Sequence, residues 1–198
     1  MCARRYPVVE RQSAVFVWMG DPEKADEAQL PPFIGHEDPA WHMLPGRRDC
    51  EVYYELIQDN LLDPSHIDWV HRNSFGGGNA ASNRAWAEAE LRISPLPNGV
   101  RVERWMKNPA TPPSQSPIVG PLCDVLTTFD YLMPGYFLVH TRFFRVGAAE
   151  RAGIDRPTEE PIFGSYTSQA VTPVIRKQTT YCFCFGPWDK KPGTAAHH

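Results

Sequence analysis

The sequence predicts an α+β fold in which antiparallel hairpins follow a single helical region. Apolar and polar residues alternate over Glu88–Ile93 and Val100–Trp105, the periodicity of half-buried strands, and two further pairs of strand-like runs follow over 124–145 and 164–185. Turn residues separate the members of the first two pairs: Pro97-Asn98-Gly99 and Met133-Pro134-Gly135. A helical stretch broken by Pro64 comes before all of them. Strands grouped after a helix, with no alternation of the two, imply an antiparallel sheet.

In chain order, Tyr6 to Trp18 reads as a first hairpin with its turn at Arg11-Gln12-Ser13, ended by Gly20-Asp21-Pro22. Residues 23–48 mix charge with proline and read as a surface connector, ordered through Trp41 and His42. Asp49 to Tyr54 reads as a short strand feeding a helix over Glu55–Leu62. Pro64 biases Asp63 away from helical torsions, so the helix breaks there. Asp63 becomes the N-cap of a second short helix with Pro64 at its first position. Phe75-Gly76-Gly77-Gly78-Asn79 reads as a flexible loop, and residues 109–121 and 150–161 as irregular connections. Cys182 and Cys184 alternate as strand residues and share a face, as packed thiols.

Bulk properties narrow the function. Twenty Lys and Arg against 23 Asp and Glu give a net charge of −3, which favours neither nucleic acid nor anionic membrane. No apolar run approaches the roughly 20 residues of a membrane helix. The amino-terminal residues lack the apolar core of a secretory signal. Five scattered cysteines argue against a disulfide framework and point to a reducing cytoplasm.

The chemistry concentrates in Asp59-Asn60-Leu61-Leu62-Asp63-Pro64-Ser65-His66-Ile67-Asp68-Trp69-Val70-His71. Neutral imidazole is the commonest side-chain metal ligand. Two imidazoles with one carboxylate, leaving open positions, is the set non-haem Fe(II) uses with O₂. Residues five apart in an ideal helix differ by about 140°. His66 and His71 therefore meet at one ion only if the helix distorts or unwinds before His71. The competing reading is a pair of hydrogen-bonded structural histidines. Asp63 reads both as a cap and as a carboxylate orienting an imidazole. Asn60 and Asp59 read as polar residues of a helix end. The strand aromatics from Trp105 to Phe185 are core, with some lining an apolar pocket. His140 is a lone strand histidine.

This segment resembles the iron-binding segment of Rieske-type non-haem iron oxygenases, particularly the vanillate O-demethylase-like group. Its flanks agree. Tyr6-Pro7-Val8-Val9-Glu10-Arg11 with Val15-Phe16-Val17-Trp18-Met19-Gly20-Asp21-Pro22 resembles the last hairpin of the family's Rieske domain. Tyr53-Tyr54-Glu55-Leu56 resembles the approach to the iron helix, and Thr179 to Pro187 the last strand of the catalytic sheet. The resemblance implies a helix-grip catalytic domain over residues 49–198, a curved antiparallel sheet wrapping a helix. It implies a connector over 23–48 and a Rieske-domain remnant over 1–22.

It further implies His66 and His71 as two ligands of a mononuclear Fe(II), Asp63 as an electron relay to a neighbouring subunit's cluster, and Asn60 beside the iron. The expected whole is an oxygenase using O₂ and NAD(P)H to hydroxylate or O-demethylate an aromatic substrate. A reductase or ferredoxin would supply electrons, and the α subunits would form a homotrimer. The family's Cys-x-His and Cys-x-x-His ligands to the [2Fe–2S] cluster are absent from this sequence. A third iron ligand, an aspartate on a C-terminal helix, is expected beyond His198; Asp189 lies too near the last strand to match it. The chain thus reads as a partial oxygenase subunit, inactive alone. From another class, helix-grip sheets also form non-catalytic pockets for apolar small molecules.

Overall fold

The computed structural model describes residues 4–12, 14–34, 41–71, 84–153 and 157–187. The glycine-rich stretch after Asn73 and Asp189 lie outside the described residues. Strands β1 (Val8–Arg11) and β2 (Ala14–Val17) form a two-stranded hairpin. Beyond them come β3 (Leu44–Cys50), α1 (Tyr54–Leu62), a 3-10 turn (Pro64–His66), α2 (Ile67–Val70) and α3 (Ala85–Glu88). Strands β4 (Glu90–Leu96) and β5 (Gly99–Met106), helix α4 (Ser116–Val119), strands β6 (Asp124–Leu132) and β7 (Tyr136–Phe144), and helix α5 (Ala148–Ala152) follow. Strands β8 (Phe163–Ile175) and β9 (Gln178–Pro187) complete the described elements.

Seven strands make one antiparallel sheet in the order β3-β9-β8-β7-β6-β5-β4. Six of them are the three expected hairpins laid side by side as a meander. The seventh, β3, lies on the far edge, where Leu44 opposes Phe185 and Cys50 opposes Thr179. This strand begins inside the segment read as connector and stops before Tyr54. Its residues Pro45-Gly46-Arg47-Arg48 carry no alternation because an edge strand is specified by its partner. The Thr179 hydroxyl donates to the Val52 carbonyl at 2.9 Å and fixes the start of α1 against the sheet.

Alternation divides the sheet into two faces. On the concave face, Met106, Cys123, Val125, Phe143 and Phe163 form a buried cluster with Trp86 and Ala89 packed on it. On the convex face, Trp105, Leu126 and Phe144 pack on Ala148 and Ala149 of α5. Each such large apolar side chain contributes roughly 1.5–3 kcal/mol when fully buried. The Asp124 carboxylate, itself buried, accepts the N–H groups of Asn108 and Ala149, both at 2.9 Å. Residues 109–121 and 150–161, expected to be irregular, hold α4 and the end of α5. Four- and five-residue helices are too short for a periodic pattern to register.

The first hairpin and the connector also lie on the convex face. Phe16 of β2 meets Phe33 edge-on at 6.4 Å and stacks on Tyr136 at 5.7 Å. The Ser168 hydroxyl exchanges hydrogen bonds with the backbone N–H and C=O of Ile34. Trp41 meets Tyr166 at 4.5 Å, and His140 stacks on Tyr166 at 4.0 Å. His140 therefore belongs to this covered face and does not line a pocket. Cys184 is fully buried and Cys182 partly so.

Candidate metal centre

The local fold of residues 59–71 follows from one proline. Helix α1 ends at Leu62, and Asp63 adopts φ −110°, ψ 82°. Its carboxylate then caps the 3-10 turn, accepting the Ser65 N–H at 3.0 Å and the Ser65 hydroxyl at 2.5 Å. Those bonds, the hydroxyl's foremost, hold the Asp63 carboxyl below the usual carboxylate range. The turn is overwound relative to an α-helix, and α2 ends at Val70, leaving His71 at its C-cap. The distortion that two converging imidazoles require is thus present. The His66 and His71 ring centroids lie 5.4 Å apart.

The His66 ring is held in one orientation. Its Nδ1 lies 2.6 Å from the Asp63 carbonyl oxygen, so Nδ1–H donates. The Asn60 Nδ2 lies 3.5 Å from the Nε2 of the same ring. A backbone carbonyl on one ring nitrogen is the usual way a metal-binding histidine is aimed. The orienting group differs from expectation: the backbone of Asp63 touches His66, while its carboxylate is taken by Ser65. That carboxylate is 67 % exposed and lies 3.9 Å from Nη2 of Arg104. The donor chemistry fits a divalent metal at His66 and His71. Among the described residues, no third His, Cys, Asp or Glu completes a cluster with them.

Asp68, between the histidines, has a structural task that its position in sequence did not reveal. It is buried, and its Oδ2 accepts the Ala87 N–H at 2.8 Å. Arg104 reaches the same region from β5, donating from Nη1 to the Trp86 carbonyl at 2.6 Å. Burial lowers the pKa of this guanidinium. Neither residue stood out in the sequence, because their partners lie on α3, a helix too short to expect.

Both histidines open onto a cavity of about 630 Å³ between the helices and the concave face. Asn60, Leu61 and Ile67 form its helical side; Val125, Phe129 and Phe143 lie on its sheet side. Its size and mainly apolar lining suit a small organic ligand. Five of the strand aromatics line it: Phe129, Phe143, Phe163, Tyr181 and Phe185. The Tyr181 hydroxyl, pushed up to about 12 by burial, donates to Oε1 of Gln169.

Residues 50–196 match the family model described as the vanillate O-demethylase oxygenase C-terminal domain. The chain belongs to that family. It is 38% identical over 107 residues to the toluene-4-sulfonate monooxygenase system iron-sulfur subunit of Comamonas testosteroni, covering 54% of this chain and 30% of that protein. It is 32% identical over 135 residues to the vanillate O-demethylase oxygenase subunit of a Pseudomonas strain, covering 57% of this chain and 41% of the relative. The chain thus aligns with well under half the length of either relative. The solved structure of dicamba monooxygenase bound to 3,6-dichlorosalicylic acid superposes with a TM-score of 0.77 at 22% identity, covering 93% of this chain and 51% of that one. That likeness establishes a shared fold and agrees with the α+β helix-grip expectation. Among the described residues, no helix is long and apolar enough to cross a membrane.

Proposed function

We propose that this chain forms the catalytic domain of the terminal component of a Rieske-type non-haem iron oxygenase that hydroxylates or O-demethylates an aromatic compound. One observation carries the reading: two imidazoles with ring centroids 5.4 Å apart, one of them held through Nδ1, line the same apolar, aromatic-rich cavity. In this reading His66 and His71 are two of the three protein ligands to Fe(II), and Asn60, whose Nδ2 lies 3.5 Å from the His66 Nε2, stands beside the iron. When bound, Fe(II) supplies the redox chemistry that turns O₂ on the substrate, with electrons from NAD(P)H by way of a reductase or ferredoxin and a [2Fe–2S] cluster.

The chain's own residues do the positioning. The Asp63 carbonyl keeps the His66 proton on Nδ1. The walls of the cavity exclude bulk water and hold a flat ring near the imidazoles. Asp63 presents an exposed carboxylate, and Trp69 and Val70 of the same segment are exposed apolar residues. That surface fits a neighbouring subunit of a homotrimer, to whose cluster Asp63 would relay electrons. The names of the relatives, which carry vanillate and toluene-4-sulfonate, support an aromatic substrate.

The two-histidine donor set among the described residues favours one other reading, a ligand-binding module without metal chemistry. Calorimetric titration with Co(II) separates the two. The oxygenase reading expects binding that a His66→Ala, His71→Ala double substitution abolishes. Titration curves unchanged by that substitution would overturn the metal site and leave the binding module standing.

A further inference from the structure

Two hydrogen bonds made by buried side chains meet on one peptide group. The Trp86 carbonyl and the Ala87 N–H belong to the same planar, rigid unit. Arg104 Nη1 donates to that carbonyl at 2.6 Å, and Asp68 Oδ2 accepts that N–H at 2.8 Å. A hold on each edge fixes the way the plane faces, which one bond alone would leave free to turn. The two holders come from different layers. Asp68 lies on α2 between the histidines. Arg104 rises from β5 at the edge of the cavity floor, opposing Thr127, which lines it. Its Nη2 also lies 3.9 Å from the Asp63 carboxylate, so the guanidinium meets the histidine segment a second time.

The helix they hold cannot order itself. Helix α3 has four residues, and its N-cap, Arg84, makes no side-chain capping bond. Isolated helices shorter than about 12 residues are marginal in water. Burying an Asp and an Arg is costly unless each finds partners, and both are buried here. Neither lines the cavity, whereas Ala85 and Trp86 of α3 do. Trp86 is half-buried and packs on the concave-face cluster of Met106, Val125 and Phe143. What Asp68 and Arg104 fix in place is therefore a wall.

We propose that Asp68 and Arg104 are positioning residues for the ligand: by gripping the 86–87 peptide group at both edges, they set the Trp86 indole as the wall that seats an aromatic ring in the cavity shared with His66 and His71. This rests on the aromatic-pocket reading above and deepens it. Because Asp68 belongs to the histidine segment, the wall and the imidazoles are held in one frame. The effect of either residue on a bound ring runs through Trp86.

The probe is fluorobenzene, its binding to the purified chain read from the fluorine resonance of the ligand. Arg104→Met keeps the apolar stem and removes the donor; it should weaken fluorobenzene by about tenfold, as should Asp68→Ala. Asp68→Asn, which keeps an oxygen for Ala87, should stay within about twofold of the unaltered chain. In a Trp86→Ala background, Arg104→Met and Asp68→Ala should each change binding by less than about twofold, because the residue they act through is gone. Acrylamide quenching due to Trp86, taken as the difference from Trp86→Phe, should rise at least about twofold in both Arg104→Met and Asp68→Ala, since a loosened wall lets the quencher in. Equal weakening with and without Trp86 would overturn the proposal and leave the pocket intact, the loss then being general to the fold. Asp68→Asn as damaging as Asp68→Ala would overturn it too, placing the effect in the charge and not in the grip. Unchanged quenching of Trp86 in both variants would overturn it whatever the ligand does. Should Arg104→Met not fold, the Asp68→Ala and Trp86→Ala pair carries the same comparison. Fluorobenzene that fails to bind the unaltered chain would overturn the aromatic pocket, and the proposal with it.

Discussion

The Asp68 carboxylate accepts the backbone N–H of Ala87 at 2.8 Å, tying together two short helices 19 residues apart in sequence. This bond holds α3 against α2, the element that presents His66 and His71. Removing the acceptor leaves a partly buried N–H unmet and strips an anion from beside Arg104. Asp68→Ala should therefore cost about 2 kcal/mol of stability, measured by urea unfolding. Asp68→Asn keeps an oxygen for Ala87 and should cost less.

Asp63 makes a separable contribution. Its carboxylate caps the 3-10 turn, whereas only its backbone touches His66. Asp63→Ala should lower stability by about 1 kcal/mol through the lost cap. Cobalt affinity, measured by calorimetry, should change little, because the carbonyl that orients His66 survives. A large loss of cobalt affinity would show that the carboxylate itself takes part in binding.

His140 makes stability depend on pH. Burial against Trp41 and Tyr166, helped by the nearby Arg142 and opposed by Asp130, lowers its pKa from 6.5 to about 4. The unfolded chain takes up a proton as the pH falls through 6.5, while the folded chain stays neutral until about 4. The contribution is complete above 6.5 and is lost as the pH falls towards 4. Discounted for partial exposure, it amounts to about 2 kcal/mol. Urea midpoints taken at neutral and mildly acidic pH should show that loss. In His140→Phe the part of the slope due to this residue should vanish.

Gly99 opens β5 where the chain leaves the Pro97-Asn98 turn. A Cβ there would lie 1.8 Å from the Tyr131 carbonyl oxygen, a backbone atom that cannot swing aside. Gly99→Ala should destabilise the fold by about 1–3 kcal/mol, lowering the thermal midpoint. The hairpin β4–β5 should bear the damage, seen as faster amide exchange along it.

Much of this architecture was legible because the meander repeats a simple code. Val100 to Trp105 alternates, Asp124 to Leu132 and Gln178 to Phe185 are rich in β-branched and aromatic residues, and two of the three hairpins have turn residues between their strands. Pro64 likewise announced the break that brings His66 and His71 together. What escaped the sequence depends on partners. Strand β3 exists because β9 offers an edge to Leu44 and Pro45, not because Arg47 and Arg48 favour extension. Asp68 and Arg104 meet at α3, whose Ala85 to Glu88 span barely one turn. The cavity floor was illegible for the same reason: Thr127, Thr141 and Ser165, which line it, become neighbours only through register, a property of pairs of strands.

The edge position of β3 has a consequence for how the site comes into being. The Thr180 hydroxyl donates to Asp49 across 131 residues, and Thr179 reaches the Val52 carbonyl across 127. A nascent polypeptide leaving the ribosome must therefore wait for β9 before β3 and the start of α1 can dock on the sheet. Such distant pairings are slow to form, so this edge should zip after the β4–β7 meander.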